Sequence, residues 1–225
     1  MEAKLERRIS KTKYLAAIAV TALIFIAGFA GGSALASLKL EEYKNSQQNM
    51  LFDLMGLDLK GQLVEGSDIC TLSLDELWQE KVRMGVEMDA LETRLGKNDP
   101  EVLRQKELYT LIEIKTLLLL EEMNNKCDLN HTIVLFFYTN QKNDPLGGWQ
   151  QCEDQGYALT TFGKKHTGTD VFAFDINIDN PALGALKSEY NLSKVPFLVY
   201  DGKPYPGFKD ENALELIRIA NEKYD

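Results

Sequence analysis

Cysteine is scarce in this chain: 225 residues contain three, Cys70, Cys127 and Cys152. Three are too few for a disulfide scaffold, and no two of them form a Cys-x-x-Cys pair. Histidine is scarcer still. His131 and His166 lie far apart with no ligand-like spacing, so no metal site is expected. Asp175-Ile176-Asn177-Ile178-Asp179-Asn180 starts like a calcium loop. Its sixth position is Asn180 rather than glycine and its twelfth is Leu186 rather than glutamate, so it is rejected. No cofactor is expected. The body also lacks a basic excess. Residues 1–13 carry five Lys/Arg and two Glu, a net of +3, so the remainder carries −12 of the total −9. That balance argues against nucleic acid and anionic lipid as partners of the folded part.

One run does lack charge altogether. Residues 14–38 contain no Asp, Glu, Lys or Arg. At 1.5 Å per residue such a stretch spans a bilayer core of about 30 Å. Lys4, Arg7, Arg8, Lys11 and Lys13 precede it, which keeps residues 1–13 cytoplasmic and exports the rest by the positive-inside rule. The expected location is therefore the cell membrane, with a single pass. Ala34-Leu35-Ala36 also fits a signal-peptide cleavage pattern, so cleavage after Ala36 is the alternative to an uncleaved anchor. Both export the body. Gly28, Gly32 and Ala36 form a small-residue ridge at spacing four, a route to a homodimer.

Residues 39–69 read as a juxtamembrane helix and a linker punctuated by Gly56, Gly61 and Gly66. Residues 70–127 read as an antiparallel helical hairpin. Ser73-Leu74-Asp75-Glu76 looks like a capping box. Leu74, Leu77, Lys81, Met84, Met88, Leu91 and Leu95 follow in steps of three and four, which draws one seam. Gly96 ends this helix; Asp99 and Pro100 start the next, which carries Val102, Tyr109, Ile112, Leu119 and Met123. Helices of about 34 and 38 Å joined by a short turn return to the same end. Cys70 precedes the first and Cys127 follows the second, so in an exported protein the two are placed to form a disulfide. Two unrelated thiols are the alternative.

Residues 131–225 alternate strand and helix signals. Thr132-Ile133-Val134-Leu135-Phe136-Phe137-Tyr138 reads as a buried strand. A polar loop follows, then a helix opening at Trp149-Gln150-Gln151-Cys152. Val171 to Asn177 is a second strand, and Asn180-Pro181 caps a short helix to Tyr190. Val195-Pro196 then leads into Phe197-Leu198-Val199-Tyr200, with a turn at Asp201-Gly202, a strand or turn through Pro204 to Phe208, and a terminal helix from Glu211 to Lys223.

This order resembles the thioredoxin-like superfamily, and the resemblance covers residues 131–225. It implies an α/β fold with a central mixed sheet flanked by helices, and a cis bond at Val195-Pro196. The family's helix begins with two redox cysteines. Here Gly156 and Leu159 follow Cys152 at the offsets the family uses after its second cysteine, although Tyr157 replaces the usual proline. Cys152 thus resembles the resolving cysteine and Trp149 stands where the attacking one would be.

Disulfide exchange needs an activated thiolate at a helix N-terminus and a second thiol to release the mixed disulfide. The two-cysteine cycle is therefore missing. The expected function is a redox-degenerate binding or scaffolding module, with Tyr138, Trp149, Val195 and Pro196 lining a groove for a protein or peptide. The alternative is an oxidoreductase using Cys152 alone. A third reading makes the hairpin an oligomerisation or docking element.

Overall fold

The computed structural model describes residues 12–32, 52, 55, 56, 59, 69–71, 74–127 and 129–222, and within α2 leaves out the side chains of 74–77 and 80. Several expectations lie outside these residues: the basic tail to residue 11, the cleavage pattern at Ala34 and Ala36, the linker glycines Gly61 and Gly66, and the Ser73 capping box. The chain divides into two units, Met1–Gln48 and Asn49–Asp225.

In the first unit, α1 (Thr12–Gly32) is a 21-residue helix with mean hydropathy 2.2. It is long and apolar enough to cross a membrane. Gly28 and Gly32 have no heavy atom within 4 Å of an added Cβ, so their ridge is bare.

In the second unit, a 3-10 turn (Ile69–Thr71) precedes the hairpin α2 (Leu74–Leu95) and α3 (Pro100–Lys126). Asp99 caps α3 by accepting from the Glu101 N–H at 2.8 Å. Then come β1 (Thr132–Tyr138), α4 (Trp149–Lys165), β2 (Thr169–Asp175), α5 (Pro181–Glu189), β3 (Phe197–Tyr200), β4 (Lys203–Pro206) and α6 (Glu211–Glu222). The sheet order is β2-β1-β3-β4, with β1 parallel to β2 and the other pairs antiparallel. The fold is therefore mixed α/β, a four-stranded mixed sheet flanked by helices.

Alternation along β1 shows how the layers form. Phe136 approaches Gly156 of α4, while Ile133 and Leu135 line a cavity with Glu121 and Asn124 of α3. Adjacent strand residues point to opposite faces. So α3 with α5 covers one face, and α4 with α6 the other. The core joins Ile114, Leu117 and Leu120 of α3 to Leu135, Phe137, Phe172, Phe174 and Leu198 of the sheet. α3 is thus a layer of the α/β core as well as half of a hairpin. It buries Met123, Leu119 and Ile112 together with Leu117, Leu120 and Glu113. In α2, Lys81, Met84, Met88 and Leu91 of the expected seam are buried, whereas Leu95 is exposed.

Cys70 and Cys127 form the disulfide, with Cα atoms 5.5 Å apart. Beside it Ile69 packs on Met123.

Among the described residues no strand pairs with the outer edge of β2. Side chains of the hairpin occupy it instead. Lys81 Nζ donates to the Val171 carbonyl at 2.6 Å and lies 3.7 Å from the centroid of the Phe172 ring. The Glu113 carboxylate faces Ala173 on the same edge, lies 3.6 Å from Lys81 Nζ and accepts from the Tyr109 hydroxyl at 3.3 Å. Further along, Lys106 Nζ sits 3.2 Å from Asp175 Oδ2 and 2.6 Å from Glu92 Oε1.

Candidate functional site

The Val195-Pro196 turn, the start of α4 and the loop between β1 and α4 meet at the C-terminal end of β1. The Val195-Pro196 bond is cis. Both residues are buried. Their backbone is already engaged: the Val195 N–H donates to Leu146 O at 2.9 Å, and Pro196 O accepts from the Gly207 N–H at 2.8 Å. Gly147 lies so close that an added Cβ would sit 2.0 Å from Val195 O. Only glycine fits there. The loop's own residues 146 and 147 therefore close the backbone edge at Val195.

Asp144 pins that loop. Its Oδ1 accepts from the Leu146 N–H at 2.8 Å, and its Oδ2 accepts from Asn177 Nδ2 at 2.8 Å and from the Thr139 hydroxyl at 2.9 Å. Burial pushes the Asp144 carboxyl up, but these donors outweigh it and hold the group below the usual carboxylate range. The turn pattern Asp-Pro-x-Gly at Asp144 to Gly147 is the sequence signal that marks this position.

α4 starts at Gly148 without a side-chain cap. Trp149 is half-buried, with Lys142 Nζ 5.7 Å from its ring centroid. Cys152 lies one turn on, and its N–H donates to Gly148 O at 3.3 Å. The thiol is buried, at 3 % exposure. Burial raises its pKa, and the charges of Asp144 and Asp175 add to that; a backbone hydrogen bond from Thr139 opposes them without reversing the shift. Cys152 and Tyr138 share a cavity of about 300 Å³ with Phe136, Tyr157, Glu92 and Lys97. Tyr138 is held well above its ordinary pKa, first by burial and then by the negative charges of Asp175, Glu92 and Glu113. Lys97, in the turn between α2 and α3, bonds Glu153 of α4 at 3.0 Å.

The expected groove residues thus divide. Tyr138 and Cys152 line one cavity, Trp149 lies under Lys142 on the loop side, Val195 is packed against Leu146 and Gly147, and Pro196 is bonded to Gly207. Sequence reasoning missed Gln155, which is fully buried on α4. Its amide donates to Lys209 O at 3.0 Å and accepts from the Lys209 N–H at 2.7 Å, tying α4 to the segment after β4. A glutamine inside a helix carries no signal of a partner 54 residues away.

No grouping of three or more metal-ligating side chains occurs among the described residues. Comparison with protein-family models gives no match for this chain, and comparison with curated proteins gives none.

Proposed function

We propose that this chain is a membrane-anchored, extracytoplasmic binding module of thioredoxin-like type that has no thiol-exchange cycle. The observation that carries the reading is Cys152: one thiol in the first turns of α4, buried, with its pKa raised and with Trp149 in the attacking position. A nucleophilic thiol needs the opposite environment, exposed and with a lowered pKa. The same facts stand against the single-cysteine oxidoreductase.

The sheet order and its two flanking helix pairs support the thioredoxin-like reading. The export of the body is supported by the basic flank of α1 and by the disulfide, since such bonds persist in oxidising compartments. The closed backbone edge at Val195 shifts recognition to side chains. The binding face is the surface around Trp149 and the Val195-Pro196 turn.

The test is alkylation of the native full chain in detergent micelles with iodoacetamide at pH 7, read by mass spectrometry. Slow labelling of Cys152, at the rate of unfolding, is the expected result. Rapid labelling near neutral pH, or recovery of Cys152 as a mixed disulfide, puts the oxidoreductase first.

A further inference from the structure

Two lysines converge on Gly207 beside the Val195-Pro196 turn. An added Cβ on Gly207 would meet Lys194 Nζ at 2.9 Å, and Lys209 Nζ donates to Gly207 O at 3.0 Å. Gly207 itself donates to Pro196 O. Neither ammonium has a carboxylate within 4.0 Å among the described residues. Lys209 has its pKa lowered, by partial burial first and by the Lys194 charge second. A third lysine, Lys142, lies over the Trp149 ring beyond the Leu146-Gly147 segment, and it too has no carboxylate partner among the described residues.

The body after residue 38 carries −12. Lys81, Lys97, Lys106, Lys126 and Lys165 all sit on carboxylates. Lys164 and Lys187 also have no carboxylate partner among the described residues; what sets Lys194 and Lys209 apart is that both ammonium groups are brought to one glycine.

We infer that Lys194 and Lys209 form the recognition face of the module and that its partner is an acidic peptide segment of another protein. Resting on the binding-module reading above, the inference adds the chemistry of the partner. Charge complementarity selects carboxylates, which the two ammonium groups at Gly207 take up together. The fold's own backbone edge is shut by Leu146, so the peptide is held by its side chains and not as an added strand.

The experiment uses the full chain in nanodiscs of zwitterionic lipid and a fluorescein-labelled decapeptide alternating Glu and Leu, read by anisotropy. The Glu peptide is expected to bind, and a Gln-for-Glu counterpart is not. Binding should weaken about tenfold in the variant K194E/K209E, and fall with added salt. The variant K194Q/K209Q, checked by its melting curve, gives an intermediate loss and guards against misfolding. Equal binding of the Glu and Gln peptides, or unchanged binding by K194E/K209E, overturns the inference. So does equally effective competition by inorganic phosphate or by phosphatidylserine vesicles, which would assign the lysines to a free anion or a lipid surface. Cys152 labelling in the same preparation reports separately on the redox-inactive reading. A slow thiol with no peptide binding sinks only the present inference.

Discussion

Lys81 Nζ lies 2.6 Å from the carbonyl oxygen of Val171, on the strand edge where a neighbouring strand would otherwise donate. Glu113, 3.6 Å from Lys81, faces Ala173 on the same edge. A helical hairpin thus supplies a hydrogen-bond donor and a facing carboxylate to β2 through a buried ion pair. An unpaired edge exposes backbone groups to other chains, and this pair covers it.

Removing one partner leaves the other charge buried. Lys81→Met should destabilise the fold by about 3–5 kcal/mol. The double variant Lys81→Met/Glu113→Gln should recover much of that loss, because no charge is stranded. Urea unfolding of the four proteins in the cycle checks this. Additive losses would show that the two side chains act independently.

The pair also sets a pH dependence. Burial first, opposed by Lys81, raises the Glu113 carboxyl from 4.5 to about 6. Between those values the folded chain holds a proton that the unfolded chain has released. This group's contribution is therefore present in full below about pH 4.5 and is lost as pH rises through 6. Relative to the Lys81→Met/Glu113→Gln protein, stability should fall by about 2 kcal/mol across that window. Parallel stability curves for the two proteins would refute the assignment.

Gly147→Ala places a methyl 2.0 Å from Val195 O, where backbone must move. The expected loss is about 2–4 kcal/mol. Gly148, one residue on, has open space, and Gly148→Ala should cost no more than about 1 kcal/mol as a helix N-cap change. Thermal melts of the two variants side by side test the contrast. Similar losses would mean that the contact with Val195 is not what selects glycine.

The disulfide joins positions 57 residues apart. Closing a loop of that length reduces the entropy of the unfolded chain by the equivalent of about 4 kcal/mol. Cys70→Ser/Cys127→Ser should lower the urea midpoint accordingly, and adding reductant to the parent should reproduce the effect. No change on reduction would mean the hairpin is held without the bridge.

Much of the architecture was legible because it rests on local chemistry. The apolar run of α1 appears as a 21-residue helix, Asp99 and Asn180 cap α3 and α5, and Asp201-Gly202 turns between β3 and β4 with positive φ at both residues. Cys70 and Cys127 meet because two helices of similar length must return to one end. The environment of Cys152 was not legible. Its position in α4 follows from the sequence, but its burial depends on the core it joins, which includes Phe136 of β1. The same holds for Lys81, which stands in an apolar seam as an apparent misfit until Val171 is seen beside it.

The sequence by itself determined the elements: periodicity, caps, turn residues and the charge split are properties of neighbours along the chain. Only the tertiary structure decided which charges are paired. α3 became a layer of the sheet's core because both its sides found apolar surface. Lys81 was drawn inward to an open strand edge and Lys106 to the carboxylates of Asp175 and Glu92, while Lys194 and Lys209 were left without carboxylates at Gly207. Those pairings join residues tens of positions apart, and side-chain type alone does not specify which distant carboxylate folding will bring within 4.0 Å.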